Sequence, residues 1–292
     1  MQFVTFADET GERRPGVLAG ETIEPFGAGI PTLEAFIALD PEGRRAALAA
    51  RGAALPLAGV TLLAPLAPRK NVFCVGRNYL AHAQEGARAR GEQLDLPSVP
   101  TFFTKAPTAV VGPDVTLTLA GSLSAQYDWE AELAVVIGTT CKDVAQAAAG
   151  EVIFGYTCLN DVTARDLQRL HQQWFKGKSL DATCPLGPWI VDAAEFGDPQ
   201  HADIALRVNG VTRQSSNTQA MIFSVARIIA ELSRGMTLEP GDIIATGTPE
   251  GVGFAMQPPL FLKDGDVMEV EIAGIGRLRN SVAISTPVGA AV

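Results

Sequence analysis

Apolar and polar positions alternate over short runs along most of this chain, and helical periodicities are few. Phe3-Val4-Thr5-Phe6 and Pro15-Gly16-Val17-Leu18 read as strands on either side of a turn at Glu9-Thr10-Gly11-Glu12. Trp189–Val191, Ile204–Gly210, Ile243–Thr246 and Val267–Ile272 read as further strands, and Val110–Leu119 alternates around a turn at Gly112-Pro113-Asp114. Thr32 opens one helix, and a second runs from Pro41 to Ala50 with Gly52 behind it. The clearest helix spans Thr218 to Arg234. Its apolar residues Ile222, Val225, Ile229 and Leu232 follow i, i+3, i+7, i+10, and Gly235 stops it. Pro56, Pro65 and Pro68 punctuate a linker. The pattern therefore predicts an α+β, β-rich protein with a small N-terminal α/β domain over residues 1–68. The main domain covers 69–286, and a disordered tail 287–292.

One strand breaks its own pattern. In Tyr127-Asp128-Trp129-Glu130-Ala131-Glu132-Leu133-Ala134-Val135-Val136-Ile137, the alternation places Glu130, Glu132, Ala134 and Val136 on one face. Ala131, Leu133, Val135 and Ile137 form the other. Both faces are apolar beyond the glutamates, which predicts a strand covered on both sides with its carboxylates near the interior. A Glu-x-Glu pair in a strand is most often a solvated face; the apolar continuation argues against that here. Asp161 ends another strand-like run, Gly155-Tyr156-Thr157-Cys158-Leu159-Asn160. Three buried carboxylates need countercharge, and with no Cys/His cluster beside them they suit Mg2+ or Mn2+.

Composition narrows the function classes. The 292 residues are 47% hydrophobic and 19% charged, enough for a well-buried core. A formal net charge of −9 argues against sequence-independent nucleic-acid binding. No apolar stretch reaches the roughly 20 residues of a membrane span, and Met1–Asp8 lacks the basic and apolar regions of a secretory signal. Cys74, Cys141, Cys158 and Cys184 form no C-x-x-C pair and have no His at ligand spacing. They read as free thiols of a cytoplasmic protein, not a zinc site.

Other polar groups cluster at strand ends. His82 and Glu85 follow Gly76-Arg77-Asn78-Tyr79 and are three apart, so on a helical turn they face one another. A carboxylate partner fixes the imidazole tautomer and raises its basicity, the requirement for a general base. Taken alone, such a pair is common on surface helices. The charged segment Gly86–Pro97 reads equally as a lid or a solvated loop. Lys105 and Lys178 each follow aromatic residues, where a lysine stabilises an oxyanion or, more often, snorkels to water. Gly247-Thr248-Pro249-Glu250-Gly251-Val252-Gly253 lacks the Lys-Ser/Thr ending of a P-loop and reads as lining for a small-molecule site.

Together these segments resemble the fumarylacetoacetate hydrolase family from Asn71 to about Ser281. The carriers are Gly76-Arg77-Asn78-Tyr79 with His82 and Glu85, Phe103-Thr104-Lys105 and Glu130-Ala131-Glu132. Asn160-Asp161-Val162-Thr163-Ala164-Arg165-Asp166, Gly177-Lys178-Ser179 and Thr246–Gly253 complete the set. The resemblance implies a mixed β-sandwich roll around a metal-centred pocket, with Glu130, Glu132 and Asp161 as metal ligands. It makes His82 and Glu85 a water-activating dyad and Lys178 the lysine near the reacting oxygen. Arg77, Tyr79, Lys105, Gln168 and Thr248 would line the substrate pocket. It also implies a homodimer, Mg2+ or Mn2+, and a 2-oxo acid substrate whose chelation stabilises an enolate. C–C hydrolysis of an acylpyruvate or fumarylpyruvate is then expected first, because the dyad is intact. The alternatives at the same site are oxaloacetate decarboxylation or tautomerisation, and isomerisation of a 2-hydroxyhepta-2,4-diene-1,7-dioate in aromatic catabolism. A catalytically idle member would have broken motifs, and these are whole.

Overall fold

The computed structural model describes residues 1–285 and gathers most of its strands into a 12-stranded sheet. Its central strands, in spatial order, are Gln2–Ala7, Cys184–Asp192, Ile153–Asn160, Ala131–Ile137, Ile243–Ala245, Val72–Gly76 and the edge strand Thr101–Lys105. A 5-stranded sheet, ordered Val211–Asn217, Asp203–Val208, Val267–Ile272, Gly276–Ser285 and Thr116–Ala120, packs against it. Leu133, Val135 and Tyr156 of the first sheet meet Leu206, Val270 and Leu278 of the second in one apolar cluster. On the opposite face, Ala134, Val136, Leu159 and Ile190 pack with Phe3, Phe26, Leu33 and Phe36. Strand Ala131–Ile137 is thus buried on both faces, as its alternation predicts. The architecture is the expected β-rich, mixed sandwich.

The large sheet runs unbroken across the expected domain boundary at residue 68. Gln2 and Phe3 pair with Val191 and Ile190, and Phe3 packs 4.9 Å, ring centre to ring centre, from Phe154. The short helix Leu33–Ile37, capped by the Thr32 hydroxyl, lies over that face. The tail at 287–292 lies outside the described residues.

Three local expectations are corrected. The helix expected over Thr218–Arg234 is Val225–Ser233, capped by Ser224, and Thr218–Ala220 is a separate short turn. Asn78 sets this break: its carbonyl accepts from Ile222 N and its side chain from Phe223 N, holding both residues out of the helix. The Val110–Leu119 run is two strands in different sheets, Val110–Val111 beside Cys184–Pro185 and Thr116–Ala120 beside Ser281–Ser285. Gly86–Arg90 is helical, part of Leu80–Arg90, which ends at Gly91 in the left-handed region (φ 67°).

Candidate active site

Strand pairing brings the three acids together. Ala131 pairs with Asn160 across an antiparallel ladder, so Glu130 and Asp161, each one residue further on, face one another at its end. Asp161 N donates to the Glu130 carbonyl at 2.8 Å, and Glu130 N donates to the Asn160 side chain at 3.0 Å. Glu132 lies on the same face. One carboxylate oxygen from each of Glu130, Glu132 and Asp161 falls within 4.8 Å of the others, and all three residues are buried. The next strand, Ile243–Ala245, delivers Gly247, whose N–H donates to Glu132 Oε2 at 2.7 Å. Gly247 has φ 99°, and a Cβ there would lie 2.7 Å from Asn78 Cβ, so the turn requires glycine.

Cations surround this cluster unevenly. Lys178 Nζ lies 2.7 Å from Glu130 Oε2 and 2.6 Å from Asp161 Oδ2. Arg165 Nη1 lies 2.7 Å from Glu130 Oε1. Burial would raise the Glu130 carboxyl, but Lys178 and Arg165 outweigh it and hold the group at about 2. Burial would likewise lower the Lys178 ammonium, yet Asp161 and Glu130 raise it. Glu132 has no cation partner among the described residues; burial, then Asp161 and Glu130, push its carboxyl well above the usual range. Asp161 Oδ1 is 2.7 Å from Lys105 Nζ but accepts no hydrogen bond. A buried carboxylate without a cation, Glu132, beside two further hard-oxygen ligands that converge on it, is the donor set a divalent cation would satisfy.

Glu130 and Glu132 open onto a cavity of about 330 Å³, lined also by Arg77, His82, Gln168, Lys178 and Thr248, with Asp161 behind them. Phe103, Trp174 and Phe254 supply its apolar walls. His82 Nδ1 is 2.9 Å from Glu85 Oε1, and both side chains are largely buried. Glu85 also accepts from Gly251 N at 2.9 Å, which ties helix Leu80–Arg90 to the 251–254 loop. If Nδ1 carries the hydrogen bonded to Glu85, Nε2 is left with a lone pair. Arg77 adopts a left-handed backbone (φ 56°), an uncommon state for a non-glycine residue and frequent at functional positions.

Two expected pocket residues sit elsewhere. The Lys105 ammonium is fully buried behind Asp161, donating to the carbonyls of Val162 and Lys178. Tyr79 is buried in the apolar core, its hydroxyl without a partner among the described residues, and burial pushes its pKa up. Neither lines the cavity.

Sequence reading gave Arg165 and Asp128 no role. Arg165 lines the cavity and its Nε donates to Asp128 Oδ2 at 2.8 Å. The signal for Asp128 was available: it stands two residues before Glu130 and continues the Glu130/Glu132 alternation. A larger cavity, about 730 Å³, lies between the N-terminal segment and the main sheet, among Phe3, Phe36, Phe154 and Arg44. It shares no residue with the carboxylate cavity.

Comparison with known proteins agrees with this geometry. The profile described as fumarylacetoacetate (FAA) hydrolase C-terminal matches residues 71–283. An oxaloacetate tautomerase of Bacillus subtilis, YisK, is 46% identical over 227 residues, covering 77% of this chain and 74% of that protein. The structure of a fumarylacetoacetate hydrolase from Exiguobacterium antarcticum superposes with a TM-score of 0.83 at 42% identity, over 98% of this chain and 100% of that one. Maleylpyruvate hydrolase from Sphingobium, solved with manganese(II) and pyruvate, gives a TM-score of 0.79 at 33% identity, over 98% and 100%. With its motifs in register and its three carboxylates converged, the chain belongs to the fumarylacetoacetate hydrolase family of enzymes.

Proposed function

We propose that the chain moves a proton at C3 of a small 2-oxo dicarboxylate, with keto–enol tautomerisation of oxaloacetate as the first reaction. The 46% identity to an oxaloacetate tautomerase supports this order, which reverses the one drawn from sequence alone. One observation carries the reading: His82, tethered to Glu85, lines the same cavity as Glu130, Glu132 and Lys178.

Glu130, Glu132 and Asp161 would hold Mg2+ or Mn2+, which when bound supplies Lewis-acid polarisation of a 2-oxo carboxylate. The protein's own groups do the rest. Lys178 donates toward the oxygen on C2, with its ammonium desolvated and fixed by two carboxylates. Arg165 offers the substrate carboxylate a nitrogen, Nη2, that no protein group occupies. His82 Nε2 takes the proton from C3 and passes it to the oxygen on C2, the reverse transfer converts enol to keto, and Glu85 holds the imidazole in the competent tautomer. Phe103, Trp174 and Phe254 keep bulk water from the reacting carbon.

The same dyad, presented to a water molecule, would serve C–C hydrolysis, and the likeness to a maleylpyruvate hydrolase supports that second reading. Enol-oxaloacetate decay, followed by ultraviolet absorbance in Mg2+ or Mn2+, tests the first. His82→Ala is expected to lower kcat by about 10²–10⁴-fold. Unchanged decay in that variant would remove His82 from the mechanism. Faster cleavage of acylpyruvates than enol decay would put hydrolysis first.

A further inference from the structure

Asp128 is fully buried and carries four hydrogen bonds, every one of them accepted. Oδ1 accepts from Trp129 N at 2.9 Å and Gly253 N at 2.7 Å. Oδ2 accepts from Phe254 N at 3.0 Å and Arg165 Nε at 2.8 Å. Arg165 is therefore held on two sides, by Asp128 through Nε and by Glu130 and Gln168 through Nη1. The Phe254 ring covers the guanidinium at 4.5 Å. What remains is Nη2, buried, without a partner among the described residues, on a residue that lines the cavity.

We propose that Asp128 is the positioning residue of this site: it turns the Arg165 guanidinium so that Nη2 meets the substrate carboxylate. This rests on the reading of the cavity as a 2-oxo acid site. A guanidinium binds a carboxylate through a planar fork, so rotation about its own plane decides whether the free nitrogen faces ligand or wall. Glu130 and Gln168 do not fix that rotation, because both hold the same nitrogen, Nη1, and leave the group free to pivot about it. Asp128 supplies the second point and at the same time pins Phe254, the ring stacked on Arg165, through its backbone N–H. Asparagine does not substitute. Whichever way its amide turns, its NH2 is set against two N–H donors.

The test uses the Mg2+-loaded enzyme and oxalate as probe, with binding read by tryptophan fluorescence, Trp174 being in the cavity wall. Asp128→Asn is expected to weaken oxalate binding about tenfold in the wild-type background, and to within about twofold of no effect in the Arg165→Lys background. An equal loss in both backgrounds, or no loss in either, overturns the proposal. If Asp128→Asn does not accumulate folded, Asp128→Glu keeps the charge but displaces it by one methylene, and the same cycle applies with the same outcomes. Wild-type enzyme that does not bind oxalate would instead overturn the 2-oxo acid reading itself.

Discussion

Lys105 shows how far a residue's neighbours in sequence mislead about its neighbours in space. Standing after Phe102-Phe103-Thr104, it has the setting of a pocket lysine, yet its ammonium lies behind Asp161 among protein oxygens. Sequence shows that a lysine ends an aromatic strand; it does not show which way a long, flexible side chain turns. The carboxylates were legible because backbone alternation fixes the face of Glu130 and Glu132 directly. Asp128 and Arg165 were not, since their roles depend on a contact between residues 37 apart. Replacing Lys105 with methionine removes one of the two ammoniums that compensate the buried Asp161 and leaves Lys178 as the other, a loss of up to about 3 kcal/mol. The expected result is a lower urea midpoint with KM for oxaloacetate nearly unchanged. A large rise in KM without loss of stability would instead place Lys105 in contact with substrate.

At the level of elements, the site hangs on two short helices, Arg165–Leu170 and Phe175–Lys178, that carry Arg165, Gln168 and Lys178. Gly177 makes their approach possible: a Cβ there would collide with the backbone nitrogen of Gln168. Gly177→Ala must push the helices apart, at about 1–3 kcal/mol for the overpacking, and the shift is delivered to Lys178 next in the chain. The expected outcome is activity reduced by about tenfold or more in an enzyme that still unfolds cooperatively a few degrees lower. Retained activity would show that the helix pair adjusts without moving Lys178. Neither helix was legible as an element, because runs of six and four residues are too short to establish a periodicity. The helix ending at Ser233 was legible, but its start was placed at Thr218. Ile222 fits the apolar repeat, and only the distant Asn78 takes it and Phe223 out of the helix. A lost cap supplies a check: Ser224→Ala frees the Arg227 N–H and should cost about 1 kcal/mol, read as a shift in denaturant midpoint with activity intact. No change would put the helix start elsewhere.

Across the whole molecule, alternation made the strands legible but not all their neighbours: Gln2–Ala7 pairs with the nearby Arg13–Ala19 on one side, but its partner on the other lies near residue 190. The family profile begins at residue 71, yet the first strands complete the sheet that holds the site. Removing residues 1–68 would unpair Cys184–Asp192 along one edge and strip Phe3 and Phe36 from Phe154 and Ile190. An exposed edge beside bared apolar surface favours association. The truncated chain is therefore expected in the insoluble fraction, and a soluble, active product would show that 69–286 folds alone. The carboxylate centre sits deeper in the same sheet, at the paired ends of Ala131–Ile137 and Ile153–Asn160, and its charges bear on the stability of the whole fold. Glu132 has no cation beside it, so in the ion-free protein its burial opposes folding at neutral pH, and a divalent ion relieves that opposition. The three oxygens gather only when the strands pair, so the ion binds the folded chain and not the unfolded one. Mn2+ at a hundredfold excess over its Kd should then add about 2.7 kcal/mol, seen as a rise in Tm that grows with the logarithm of ion concentration. Glu132→Gln should remove the dependence on Mn2+ while raising the ion-free Tm, because the buried charge is gone but the Gly247 N–H keeps an acceptor. A Mn2+ shift of equal size in that variant would locate the ion at some other group and detach the carboxylate cluster from the chemistry assigned to it.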